Sequence, residues 1–121
     1  MKKTIIIGAS PNDARYSYKA TKMLSEFRHP VIPLGIRSGN IEGHEILSLS
    51  EKKHYEDIDT VTLYLSPENQ GSYIDYILSL HPKRVIFNPG TYNPAFIEQL
   101  EEAGIEAQEA CTLVLLRTHQ Y

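Results

Sequence analysis

The sequence predicts an α/β fold: a doubly wound, Rossmann-like, mainly parallel sheet of about five strands with helices on both faces. Three observations carry this. Short apolar runs alternate with helix-length amphipathic segments, as strands and crossover helices do. The first run, Thr4-Ile5-Ile6-Ile7, reads as a buried strand and stops at Gly8, where a strand of such a sheet hands over to its helix. The 121 residues, 41% of them hydrophobic, contain no internal repeat and no Pro/Gly/Ser linker, so residues 1–121 are expected to form a single domain with one sizeable core.

In chain order, residues 4–7 form the first strand, and Ser17 is placed to cap a helix running to about residue 28, with Ala20, Met23, Leu24 and Phe27 at helical spacing. Residues 31–34 are a second strand with Pro33 near its end. Residues 39–43 read as a turn, and residues 47–55 as holding one helical turn. Residues 60–65 make a third strand. Ser66 then stands at an N-cap position with Pro67 first in the helix, and Ile74, Ile77 and Leu78 form an apolar stripe that ends at His81-Pro82, so one helix is expected despite Gly71. Residues 84–87 are a fourth strand, residues 94–103 a helix stopped by Gly104, and residues 105–108 a short fifth strand. The tail Cys-Thr-Leu-Val-Leu-Leu-Arg fits a strand or a helix equally.

Charge and composition narrow the function. The net charge is -3 and the 12 Lys and Arg are scattered, so no basic stripe exists to follow a nucleic-acid backbone. The single cysteine, Cys111, excludes an internal disulfide and a multi-thiolate metal site, and a reducing, cytoplasmic setting is the expectation. No apolar run approaches the roughly 20 residues of a membrane helix, and the opening apolar run is too short for a signal peptide. The five His, at positions 29, 44, 54, 81 and 119, lack metal-ligand spacing.

Gly8 stands where the first strand-to-helix turn of such folds meets a phosphate. A glycine there lets the backbone come close to an anion, the helix start adds unpaired donors, and Ser10, Arg15 and Ser17 add side-chain donors. The same glycine would equally serve only to turn the chain. The spacing departs from G-x-G-x-x-G, and the second strand ends in no Asp or Glu for a ribose 2'-hydroxyl but is followed by Arg37. A guanidinium there matches an additional phosphate, which favours NADP or a 3'-phosphorylated adenosine such as coenzyme A, although Arg37 alone also reads as a solvated surface residue.

The segments IIIGASPNDARYSYKATKML, VIPLGIRSGNIEGHEILSLSE, VTLYLSPENQ and VIFNPGTYN, with the later EEAGIEAQEAC, together resemble the small single-domain CoA-binding proteins related to the nucleotide-binding domain of succinyl-CoA synthetase. The resemblance spans nearly the whole chain. It implies that Gly8, Ala9, Ser10, Arg15 and Ser17 cradle a pyrophosphate, that Ile36 and Arg37 lie near the phosphorylated ribose, and that Leu65, Ser66 and Pro67 flank the adenine. The chain departs from that pattern in having Arg15-Tyr16-Ser17 where relatives have Arg-Pro-Ser, and Gly35-Ile36 in place of Asn-Pro. The cofactor implied is coenzyme A or an acyl-CoA, with NADP the alternative from another functional class and a ligand-free scaffold the third. The synthetase supplies its phosphohistidine from a separate domain, so catalysis by this chain alone is not expected.

Other residues are weighed beside these. Asn88 and Gly90 follow the fourth strand and are expected to face the ligand, although Asn-Pro-Gly is also ordinary turn chemistry. Cys111 reads as a nucleophile or as a small packed residue. Tyr16, Tyr18 and Tyr92 are placed to line a pocket, and Leu113, Leu115 and Leu116 fit either the core or the face of a homo-oligomer or larger partner.

Overall fold

The computed structural model describes residues 1–121. Seven strands, in the order β3-β4-β2-β1-β5-β6-β7, make one sheet. They are β1 (Thr4–Ile7), β2 (Val31–Gly35), β3 (Gly39–Ile41), β4 (His44–Ser48), β5 (Thr60–Leu63), β6 (Arg84–Phe87) and β7 (Glu106–Glu109). All neighbours run parallel except β3 and β4, which form an antiparallel hairpin. The helices are α1 (Tyr16–Glu26), α2 (Ile74–Ser79), α3 (Pro94–Glu102) and α4 (Thr112–Arg117). None is long and apolar enough to cross a membrane.

The central strands are buried on both faces because side chains alternate across a sheet and helices cover both sides. Ile5, Ile7, Val61, Leu63, Val85 and Phe87 pack against Ile77 of α2 and Phe96 and Leu100 of α3. Ile6 points the other way, to Leu24 of α1 and Leu116 of α4. Leu100 is fully enclosed, and truncating such a leucine to alanine costs about 2–5 kcal/mol.

The strand count is seven rather than about five, because the residues read as a turn and a helical turn build a hairpin. Asn40 accepts the Gly43 N–H through Oδ1 at 2.7 Å and closes its bend. Ile41 and Ile46 are buried while Glu42 and Glu45 are exposed, and Leu47 and Ser48 pair with Leu34 and Gly35 rather than starting a helix. Two buried apolar residues, one on each strand of the edge hairpin, are too few to show a strand period.

The helix expected after Ser66 is also broken. Two short 3-10 turns, Pro67–Asn69 and Gly71–Tyr73, precede α2, and Ser66 makes no side-chain cap. The cause is Gln70, fully buried, whose Nε2 donates to the carbonyls of Leu65 (2.9 Å) and Thr91 (2.8 Å) while its Oε1 accepts from Asn93 Nδ2 (2.9 Å). Holding that amide in the interior interrupts the helical path. Ser17 does not cap α1 either: Arg15 is the N-cap residue, no side chain closes the helix start, and Ser17 lies buried inside the first turn. Elsewhere expectation and structure agree within a residue or two, Asn93 caps α3 by accepting from the Phe96 N–H at 3.2 Å, and the ambiguous tail is helical.

At the amino ends of the strands a polar seal closes the sheet. Arg84, 7% exposed, donates from Nε and Nη2 to Thr60 Oγ1 and from Nη1 to Gln108 Oε1 and the Tyr121 carbonyl. Its guanidinium lies 4.5 Å from the centre of the Tyr121 ring, whose hydroxyl meets Thr4 Oγ1 at 2.7 Å. The His29 ring packs against that of Tyr121, tilted by 56°, with the centroids 4.9 Å apart.

Candidate functional site

β1 and β5 are neighbours whose chains leave in opposite directions. After β1 the chain crosses by α1 to β2, and after β5 it crosses by α2 to β6 on the other side. The divergence opens a crevice at the carboxyl ends, the place where open α/β sheets bind ligands. A cleft of about 470 Å³ lies there. Gly8, Ala9, Ser10, Pro11 and Asn12 form one wall with Arg15, Tyr16 and Ser17; Ile36 and Arg37 stand over it after β2; Tyr64, Leu65 and Pro89 close the far side.

Gly8 has φ +95°, and a Cβ there would sit 3.1 Å from the Tyr64 carbonyl carbon and 3.2 Å from Leu65 Cδ2. Only glycine fits both the dihedral and the space. Its N–H and that of Ala9 do not face a ligand, since both donate to the Leu34 carbonyl at 3.0 and 2.9 Å. Ser10 Oγ accepts the Asn12 N–H at 3.1 Å, Asn12 Oδ1 accepts that of Ala14 at 3.0 Å, and the Asn12 carbonyl accepts that of Arg15 at 3.0 Å. The turn is thus held by its own polar groups.

The unpartnered donors lie one step further on. The first main-chain bond of α1 runs from Lys19 N–H to the Arg15 carbonyl, so the N–H groups of Tyr16, Ser17 and Tyr18 have no acceptor in the chain. They carry the positive end of the helix dipole into the cleft wall, beside the Ser17 side chain. Two arginines and no carboxylate line the cleft, in a chain whose net charge is -3. The arrangement suits a polyanion.

A second hollow of about 410 Å³ adjoins the first across Ile36 and Leu65 and is bordered by Glu68, Asn69, Ser72 and Tyr73. Ser66 and Pro67, also named from sequence, follow Leu65 in the chain but line neither hollow, and Ser66 Oγ accepts from Asn69 Nδ2 at 2.9 Å. A hollow of about 560 Å³ at the opposite end of the sheet is larger. It lies at the amino ends of the strands and mixes Lys3, Lys83 and two His with Glu56, Asp57 and Asp59, and some of these groups already satisfy one another: Lys3 Nζ donates to the Glu56 carbonyl and His54 faces the Glu56 carboxylate at 3.4 Å. Its charges nearly balance, so the smaller carboxyl-end cleft is the better site.

Of the residues named from sequence, the structure brings Gly8, Ala9, Ser10, Arg15, Ser17, Ile36, Arg37 and Leu65 to one cleft. Asn88 is placed differently. It is 3% exposed below the cleft, where Nδ2 donates to Thr62 Oγ1 (2.7 Å) and the Leu63 carbonyl (2.9 Å) and Oδ1 accepts the Thr112 N–H (2.9 Å). Gly90 is exposed on the following turn and borders no cleft wall; Pro89 does. Tyr16 lines the cleft, whereas Tyr18 is packed against the α1 side of the core and Tyr92 is outside. Cys111 is half-buried just before α4 and is not part of the wall.

Sequence reading missed Pro11, Asn12, Tyr64 and Pro89. The Asx-turn chemistry of Pro-Asn-Asp was a usable signal for the first two. Tyr64 carried none, because a strand buried on both faces gives no period. Burial raises the Tyr64 phenol above its ordinary value, and hydrogen bonding with Thr112 and Thr62 only partly opposes this, so it stays neutral.

Solved structures share the fold of the whole chain. A crystal structure of an uncharacterised protein superposes with a TM-score of 0.96 at 49% identity, covering 100% of this chain and 98% of that one. A hypothetical protein from Pyrococcus horikoshii OT3 gives 0.81 at 25% identity over 96% of this chain and 82% of that one. A conserved hypothetical protein from Pyrococcus furiosus gives 0.80 at 25% identity over 94% and 98%. No curated protein matches the sequence. Residues 2–117 match the family described as the CoA binding domain, and the chain belongs to that family.

Proposed function

We propose that residues 1–121 act as one Rossmann-like unit that binds coenzyme A, free or acylated, through its nucleotide portion and performs no chemistry alone. The observation that carries this is the carboxyl-end cleft with two arginines, no carboxylate and an uncapped helix start. The N–H groups of Tyr16, Ser17 and Tyr18, with Arg15, would hold the diphosphate. Arg37 would hold the ribose phosphate, and Ile36 and Leu65 offer apolar surface to the adenine on the side of Ser66 and Pro67. Gly8 keeps the floor clear, and Asn88 supports it from below.

Calorimetry with coenzyme A, acetyl-CoA, dephospho-CoA, NADP and NAD tests the reading. Coenzyme A should bind, and Arg15→Ala or Gly8→Ala should weaken it while circular dichroism stays unchanged. Arg37→Ala should lower affinity for coenzyme A about tenfold, the scale of a charge-assisted bond, and leave dephospho-CoA within about twofold. Tighter binding of NADP than of coenzyme A would replace the proposal with a redox function. Binding of none would leave a scaffold.

A further inference from the structure

The loop that carries Arg37 stands on two glycines. Gly35, at the end of β2, lies so close to the first turn that a Cβ there would collide with the Ala9 carbonyl oxygen. Gly39, at the start of β3, lies against Pro11, and a Cβ there would be 2.6 Å from Pro11 Cβ and 3.1 Å from Pro11 Cγ. Between these two feet, Ile36, Arg37 and Ser38 arch outward, all exposed. The hairpin beyond cannot swing away to relieve pressure at its foot. Ile41 is fully buried and Ile46 nearly so, Ser25 Oγ on α1 meets His44 Nε2 at 2.9 Å, and Lys22 Nζ faces the Glu42 carboxylate at 3.4 Å.

We propose that Gly39, through its contact with Pro11, is a positioning residue that sets the Arg37 guanidinium at the ribose-phosphate end of the cleft and so confers preference for a 3'-phosphorylated nucleotide. This rests on the coenzyme A reading above. Gly39 has an ordinary backbone conformation, so an alanine there brings no dihedral strain and its effect comes from the contact alone. With the hairpin anchored, the displacement falls on the arch or on Pro11, and a guanidinium moved by about 1 Å loses a paired phosphate contact.

The test is calorimetry of coenzyme A and dephospho-CoA on wild type, Gly39→Ala, Pro11→Gly and the double variant, with Arg37→Ala beside them. Gly39→Ala should weaken coenzyme A about tenfold and dephospho-CoA less than about twofold. In the Pro11→Gly background, which removes the opposing Cβ, the same substitution should have no further effect on either ligand. Equal losses for both ligands, an equal loss in both backgrounds, or no loss would each overturn the positioning role. If Arg37→Ala discriminates between the ligands and Gly39→Ala does not, this inference alone fails. If Arg37→Ala does not discriminate, or coenzyme A does not bind the wild type, the functional reading fails and takes this inference with it.

Discussion

Replacing Asn88 by alanine separates a supporting role from a ligand-binding one. The side chain makes three hydrogen bonds at 2.7–2.9 Å, tying β5 to the start of α4. Its removal leaves the Thr112 N–H without a partner in a residue with no exposed surface, which costs about 1–3 kcal/mol. Thr62 Oγ1 keeps its bond to Thr112 Oγ1 at 2.8 Å, so losing the two Nδ2 donations adds only about 0.5–1 kcal/mol each. The expected destabilisation is therefore about 2–5 kcal/mol, seen in urea denaturation as a lower midpoint at unchanged slope. A domain of this size should lose roughly 8–20 °C in Tm. Coenzyme A affinity, measured well below the new Tm, should change less than about threefold. A variant as stable as wild type but defective in binding would refute the reasoning and return Asn88 to the ligand.

Two further outcomes concern the polar seal. His29 is held below its ordinary value of 6.5 by burial first and then by the Met1 amino group, Lys2 and Arg84, against a smaller opposing effect of Asp59, and its Nδ1 accepts the Lys2 N–H at 3.0 Å. The unfolded chain therefore takes up this proton at a higher pH than the folded one, so stability falls as pH drops below about 6.5 and levels off once folded His29 is itself protonated. Denaturation at pH values between about 5 and 8 should show that slope in wild type and a reduced slope in His29→Gln; equal slopes would exclude His29 as its source. Arg84→Lys should destabilise by about 1–3 kcal/mol in the same assay, because an ammonium lacks the guanidinium fork that serves Thr60, Gln108 and Tyr121 together. An unchanged midpoint would show that charge alone suffices.

How much was legible in the sequence depended on how locally each feature is determined. The central strands and α3 could be read because continuous Ile/Val/Leu runs, the Pro94 start and Gly104 act within a few residues. The β3–β4 hairpin could not, because its stability comes from pairing with β2 and from packing of Ile41 and Ile46 beneath α1. The break at Gly71 was hidden for a similar reason: helix signals at Ser66 and Pro67 are local, whereas the partners of Gln70 lie at Thr91 and Asn93. At the site, Gly8 and Arg37 stood out by residue type. That Gly8 and Ala9 direct their N–H groups to Leu34, leaving the free donors on α1, depends on how the turn folds over β2.

Gln70 also gives the two sides of the cleft different capacities to adapt. Its amide joins the loop after β5 to the loop after β6, so Leu65 and Pro89 belong to one wall with little conformational freedom left to lose. Across from it, Ile36, Arg37 and Ser38 are exposed and held only at their two feet. The ordering entropy of ligand capture therefore falls almost wholly on that three-residue arch. A ligand group that meets only the wall of Leu65 and Pro89 should vary in fit alone, while groups that meet Ile36 or Arg37 should also vary in how much chain they immobilise.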